Sequence, residues 1–263
     1  MTKSLKPYLT ALAGLLAITM ASPAAANLDE ILNEGTIEIG VPENFPPFGS
    51  LGAKGEYEGY DVDVARMIAK DLGVDLELVP ITSKQRIPYL ETDRVDLVIS
   101  SMGANPTRAK SIWFSNAYAP FFSGAFAAPD VAVSSPDDLT GLKAGVTGGT
   151  IEDIELSNMA PDGVQIVRFG DNAATLEAYK SGQVDVLVTG NTVAANLAAN
   201  NDDVQLETKF VIKESPAFMG IKKDNMDLLR WVNVFILHKR LGGELDDLSQ
   251  KWLGQKLPDL PTL

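Results

Sequence analysis

The sequence predicts an α/β fold with a mostly parallel sheet, arranged in two lobes, and three observations carry that expectation. Short apolar runs alternate with apolar stripes at helical spacing, the order that a parallel sheet flanked by helices requires. This strand-helix cycle starts twice, once near Ile37 and again near Lys143. Two segments also echo one another. Arg94-Val95-Asp96-Leu97-Val98-Ile99-Ser100 and Gln183-Val184-Asp185-Val186-Leu187-Val188-Thr189 each introduce an apolar run with Val-Asp and close it on a polar or small residue.

The elements follow in order. Residues 1–26 read as a targeting segment: Lys3 and Lys6 are the positive start, residues 11–21 (ALAGLLAITMA) the apolar core, and Ala24-Ala25-Ala26 the small residues for cleavage. The apolar run is too short to span a bilayer, which takes roughly 20 residues. Residues 37–41 (IEIGV) form a strand that ends in a Pro-rich turn. Val64, Ala65, Ile68, Ala69 and Leu72 recur at helical spacing over residues 60–72, with Gly73 as the stop. Val74, Leu76 and Leu78 alternate with Asp75 and Glu77, the period of a strand with one wet face. In the second cycle, residues 143–146 are a strand, Thr147-Gly148-Gly149-Thr150 a loop, residues 150–159 a helix and residues 164–169 a strand. Residues 171–181 are a helix capped by Asp171 and stopped by Gly182. A last helical segment, residues 224–253, is interrupted at Gly242-Gly243, and the prolines after Lys256 keep the tail extended.

Charge and composition exclude several function classes. The chain of 263 residues carries a formal charge of −13, and removing Lys3 and Lys6 with the leader carries it to −15. Such a surface repels nucleic acid and anionic lipid, so neither is an expected partner. With no cysteine there is no disulfide framework, thiolate metal site or lipid-carrying cysteine, so no direct membrane anchor is expected. A freely diffusing exported protein fits a periplasm. The single histidine, His238, sits beside Lys239 and Arg240 in the last helical segment and reads as solvated, which leaves zinc chemistry and a Ser-His-Asp arrangement unsupported. No catalytic residue, metal or cofactor is expected.

Chemistry concentrates at strand ends, where open α/β sheets bind ligands. After the apolar run 95–99 comes Ser100-Ser101-Met102-Gly103-Ala104-Asn105-Pro106-Thr107-Arg108. Small and hydroxyl residues here read as a loop wrapping something small and anionic, and the Arg108 guanidinium offers a planar fork for a carboxylate. Gly103 would let a backbone N–H approach the same group. Equally, Arg108 could pair with a surface acid. The glycine loop ending in Gly149 and Thr150 precedes a helix, and its N–H groups could hold an anion or merely form a turn. Phe45, in the turn Glu43-Asn44-Phe45-Pro46-Pro47-Phe48, presents an aromatic face either to a ligand or to the core, and Phe48 reads as core.

Gly55-Glu56-Tyr57-Glu58-Gly59-Tyr60-Asp61-Val62-Asp63-Val64-Ala65 resembles a segment of the periplasmic binding proteins that serve polar amino-acid ABC transporters, the bacterial extracellular solute-binding protein family 3. Similar to the same family are Arg86-Ile87-Pro88-Tyr89-Leu90, residues 95–108, Phe114-Ser115-Asn116-Ala117-Tyr118, residues 139–150 and Lys251-Trp252-Leu253-Gly254. The likeness runs in order over nearly the whole mature chain. It implies a two-lobed periplasmic-binding-protein fold of type II, with two hinge strands and a ligand cleft between the lobes. Lobe 1 would be residues 27–121 and 213–263, and lobe 2 residues 122–212. By the same likeness Phe45 packs on the ligand, Ser100, Ser101 and Gly103 hydrogen-bond it, Arg108 forks its carboxylate, and Thr150, beside Gly149, completes that site through its backbone. The implied function is capture of a small carboxylate-bearing polar solute and delivery to an inner-membrane ABC permease, by a monomer.

Two positions depart from the family: Gly103 stands where a serine is common, which removes a polar contact, and the other bears on the ligand's charge. Where members usually place an Asp for the ligand's ammonium, this chain has Gly190 followed by Asn191. Asn191 or Glu43 could substitute, or the solute could lack a primary ammonium. The alternatives are an exported dehydratase on the same scaffold, acting on a cyclic carboxylate, and a sensing or assembly partner of another periplasmic protein.

Overall fold

The computed structural model describes residues 28–263; the leader expected over residues 1–26 lies outside the described residues. Helix α1 (Leu28–Glu34) leads into β1 (Thr36–Pro42), and a small antiparallel sheet of β2 (Asn44–Phe45), β3 (Gly49–Leu51) and β4 (Tyr57–Glu58) follows. Next come α2 (Tyr60–Leu72), β5 (Asp75–Ile81), α3 (Arg86–Glu91), β6 (Leu97–Gly103) and β7 (Ile112–Ala119). A second series holds β8 (Phe122–Ala127), β9 (Lys143–Thr147), α4 (Ile151–Met159), β10 (Gln165–Phe169), α5 (Asn172–Lys180), β11 (Val186–Gly190), α6 (Asn191–Ala199) and β12 (Glu207–Glu214). The chain ends with β13 (Ala217–Lys222), α7 (Met226–Gly242) and α8 (Glu244–Leu253).

Two five-stranded sheets result, ordered β5-β1-β6-β13-β7 and β10-β9-β11-β8-β12. Each begins with three parallel strands and is completed by antiparallel ones. The echoed segments supply β6 and β11, the middle strand of each sheet. Every residue of both strands is buried, as expected for strands covered on two faces. The chain passes from the first sheet to the second at residues 120–121 and returns at residues 215–216.

Local chemistry explains the element ends. Gly73 takes the left-handed conformation (φ 73°) that closes α2. Asp171 accepts from the Ala174 N–H at 2.8 Å and caps α5. Gly243, at φ 89°, separates α7 from α8. Strand β6 differs from expectation: it runs on through Ser100, Ser101 and Met102 to Gly103, because β13 pairs with it, Ala217 opposite Gly103 and Phe218 opposite Met102.

The core of the first lobe forms where Ile37, Ile39 and Val41 of β1 meet Val64, Ala65 and Ile68 of α2. Its other face is filled by Leu90, Val98, Met102 and Ile112. In the second lobe Ala144, Val146, Val186 and Val188 pack with Leu156 of α4. Helix α8 is tied to α2 through Asp63, which accepts from Trp252 Nε1 at 2.8 Å, Lys251 Nζ at 2.7 Å and Arg66 at 2.9 Å. Two segments far apart in sequence, Tyr60-Asp61-Val62-Asp63 and Lys251-Trp252, are therefore one contact in space.

Candidate functional site

The residues after β1 in one lobe face the start of α5 in the other, and the carboxyl end of β6 and the segment after β5 face the Thr147-to-Thr150 loop and the start of α4. Arg108 lies on this line. The Asn105 side chain accepts from the Arg108 N–H at 2.8 Å and starts a single 3-10 turn, residues 108–110, that carries the side chain inward. Arg108 as a whole is 8% exposed. It donates to the Gly103 carbonyl at 2.7 Å within its own lobe and to the Gly149 carbonyl at 2.9 Å across the gap. Of its five N–H donors, three remain. Burial pulls its pKa below the ordinary arginine value, and nearby Glu152 opposes that shift.

The serines close the other side. Ser100 Oγ accepts from Arg86 Nε at 3.1 Å. Ser101 holds a left-handed backbone (φ 38°), rare for a residue with a Cβ and a feature that clusters at functional sites. Its N–H donates to the Tyr118 hydroxyl at 3.1 Å, and that hydroxyl donates to Asp61 Oδ1 at 2.6 Å. Burial raises the Asp61 carboxyl to about 7, although the Tyr118 hydroxyl, Arg86 and Ser101 draw it down. Gly103 is tightly enclosed: a Cβ there would sit 2.4 Å from Ser215 Oγ, on the returning crossing, and 3.3 Å from Ile151 of α4.

In the second lobe Thr150 caps α4, accepting from the Asp153 N–H at 3.2 Å and donating to the Thr147 carbonyl at 2.9 Å. The expectation that this loop presents bare N–H groups meets a different arrangement. The Gly148 N–H donates to the Phe169 carbonyl at 2.9 Å and the Gly149 N–H to Asp153 Oδ2 at 3.0 Å. Toward Arg108 the loop turns a carbonyl, that of Gly149. Charge attraction from an aspartate of the same lobe captures the amide locally.

Phe45 is 5% exposed and packs with Phe48 (ring centroids 5.8 Å apart) and Phe121 (6.4 Å), so the aromatic cluster reaches the first crossing. Phe48 is fully buried. Gly190 ends β11 beneath the same cluster. The Asn191 side-chain carbonyl accepts from the Phe122 N–H at 3.1 Å, which ties it to the crossing, and Glu43 sits exposed on an outer groove beside Tyr57 and Asp171. Neither is placed as the buried acid that an ammonium would need.

Two residues that sequence reasoning did not single out for the site converge with Arg108, and a third, Phe121, joins the aromatic cluster at the crossing. Arg86, 5% exposed at the start of α3, makes one hydrogen bond from its guanidinium among the described residues, to Ser100. Burial and the neighbouring Arg108 lower its pKa to about 10, against the pull of Glu152 and Asp61. Glu152, in the first turn of α4, is 5% exposed and accepts from Ser123 Oγ at 3.2 Å. Phe121 lies over Gly190. The signal for Arg86 was its place just past the end of β5, the third strand end beside β1 and β6. Chemically, two guanidiniums and one carboxylate walled by serines and aromatic rings can bind a small acid; among the described residues no His, Cys, Asp and Glu group could hold a metal.

Comparison with known proteins agrees with this geometry. Residues 37–255 match the bacterial extracellular solute-binding proteins, family 3. The L-cystine-binding protein TcyJ of Escherichia coli (strain K12) is 28% identical over 255 residues, covering 93% of this chain and 95% of that protein. Among solved structures, the P235GK mutant of ArgBP from T. maritima has a TM-score of 0.80 at 31% identity, covering 87% of this chain and 99% of that one. The ancestral amino acid-binding protein AncCDT-1, a precursor of cyclohexadienyl dehydratase, has 0.77 at 33% identity, covering 86% and 98%. Two sheets of matching plan, two crossings, a cleft lined from both sides and a match over most of its length lead to one assignment: the chain belongs to the bacterial extracellular solute-binding proteins, family 3.

Proposed function

We propose that this protein is the periplasmic receptor of an ABC importer, exported by a cleavable leader, which captures a small carboxylate-bearing solute of the amino-acid class and hands it to an inner-membrane permease. Lobe 1 comprises the chain through residue 121 and again from residue 215, and lobe 2 residues 122–214, the return falling slightly later than the likeness implied because β12 pairs with β8 as far as Glu214. The lobes close about the two crossings, and closure is driven by the solute's greater affinity for the closed arrangement. Phe45, Ser100, Ser101, Gly103 and Arg108 serve the solute from one side, and Gly149, Thr150, Gly190 and Asn191 form the opposite wall.

The observation that carries this reading is the buried Arg108 fork, bonded to Gly103 in one lobe and Gly149 in the other with donors left over. A receptor is favoured over a dehydratase because TcyJ and AncCDT-1 are both described as binding proteins. The test is a thermal-shift screen of the purified mature chain against amino acids and organic acids. A solute at a hundred times its Kd stabilises by about 2.7 kcal/mol, so at least one carboxylate-bearing solute raises the melting temperature. A folded protein that responds to none of them contradicts the proposal.

A further inference from the structure

Arg86 poses a separate physical question. Arg86 is 5% exposed as a residue, and a guanidinium taken out of water loses hydration worth several kcal/mol and is normally matched by a carboxylate. Asp61 is close enough to influence it, yet no ion pair forms between them, and Asp61 spends its Oδ1 on Tyr118 while its Oδ2 has no partner. The single hydrogen bond from Arg86 Nε goes to a neutral serine hydroxyl, which leaves four donors on the two terminal nitrogens.

Those donors have somewhere to act. A cavity of about 300 Å³, at the lower end of the roughly 300–1,000 Å³ found for small-molecule sites, is lined by Ser83, Lys84, Arg86, Met102, Arg108 and Gly149. It lies between the lobes, since Arg86 and Arg108 come from the first and Gly149 from the second. The Ser83 hydroxyl is buried without a hydrogen-bond partner. The Lys84 chain reaches across to the glycine loop, its Nζ 3.1 Å from where a Cβ on Gly148 would sit. Three cationic side chains thus share the wall of one small cavity in a chain whose net charge is −13. One acid group on a solute engages one fork. The second fork, Arg86, then has only the through-space pull of Glu152 and Asp61 and no carboxylate on its terminal nitrogens unless the solute brings a second acid group.

We infer that the solute carries two acid groups, one held by Arg108 and the other by Arg86 with Lys84 and Ser83. Acidic α-amino acids and plain dicarboxylates share this chemistry. The inference rests on the receptor reading above and narrows its substrate class. An acidic amino acid would bring its ammonium toward Glu152, the buried carboxylate on the facing helix.

The experiment is calorimetric titration of the mature protein with L-glutamate, L-aspartate, succinate and glutarate, and with the one-carboxylate counterparts L-glutamine and L-asparagine. A two-carboxylate solute should bind roughly 30-fold or more tightly than its amide counterpart, and Arg86→Gln should remove that advantage. Lys84→Met, at an exposed position that leaves the core intact, should weaken the same solute by about fivefold. Preference for glutamate over glutarate assigns the ammonium contact; the reverse assigns a plain dicarboxylate. If L-glutamine or L-asparagine binds as well as any two-carboxylate solute and neither substitution alters binding beyond threefold, the receptor reading stands and this inference is overturned. If nothing in the wider solute screen binds at all, both fall together.

Discussion

The ring of Phe121 occupies the space that a side chain on Gly190 would fill: a Cβ there would lie 1.9 Å from Phe121 Cζ. Phe121 belongs to the first crossing and Gly190 ends the central strand of the second lobe, so an aromatic ring of the crossing packs directly on the end of that strand. Gly190→Ala should destabilise by about 1–3 kcal/mol through overpacking, and Gly190→Asp by more, since it also buries a charge. Phe121→Ala alone should cost about 3–5 kcal/mol. In the double variant Phe121→Ala/Gly190→Ala the second change should cost far less than it does alone. Urea unfolding of the four proteins measures this coupling, and strictly additive effects would contradict the contact.

A second relationship fixes the C-terminal helix. Burial alone would raise the Asp63 carboxyl, but Lys251, Trp252 and Arg66 outweigh it and hold the group below the ordinary carboxylate range. Trp252→Phe keeps the ring and removes the donor, so it should cost about 1–2 kcal/mol. Lys251→Ala removes a mostly exposed partner and should cost under about 0.5 kcal/mol. Equal losses for the two substitutions, read from chemical denaturation, would show that the indole bond is not the principal tie.

Asp61 gives the stability a pH dependence of defined sign. Its carboxyl titrates near 7 in the folded chain, raised chiefly by burial, against an ordinary value of 3.8. Below about pH 4 the group is protonated whether folded or not. Between about 4 and about 7 the folded chain keeps a proton that the unfolded chain has lost, so this contribution to stability declines as pH rises. Relative to Asp61→Asn, the wild type should lose on the order of 3 kcal/mol between pH 4 and pH 7. Unfolding curves for both proteins at the two pH values decide it; a constant difference would mean that Asp61 is ionised throughout.

At the mouth of the second lobe, Thr150→Ala should remove the cap of α4 at a cost of about 1 kcal/mol. Thr150→Ser keeps the hydroxyl and should restore most of it. The melting temperatures of the three proteins test this, and an unchanged value in the alanine variant would show the cap to be idle.

The sequence made the elements legible wherever the determinant was local. The α2 stripe with Gly73, the Asp171 cap and the break at Gly243 all depend on neighbours within a few residues, and each is found where expected. The Val-Asp echo showed which two strands are topological equivalents. What escaped was set by partners far away in the chain. Strand β6 extends to Gly103 because β13, more than a hundred residues later, supplies its ladder. The loop amides of Gly148 and Gly149 face inward because Phe169 and Asp153 claim them. Arg86 was visible as part of a family pattern, but its burial beside Arg108 depends on how α3 packs against β6. The exclusion of any side chain at Gly190 depends on Phe121, a residue of the crossing about seventy positions earlier.

The account stands most directly on Arg108. Isothermal titration of the wild type, Arg108→Ala and Arg108→Lys, using the solute that gives the largest thermal shift, tests it. Losing a buried fork should weaken binding by about a hundredfold or more in the alanine variant. Lysine should recover only part of that, because it supplies charge without two parallel donors. Both variants should unfold cooperatively. A folded Arg108→Ala protein that binds within about threefold of the wild type would contradict the account.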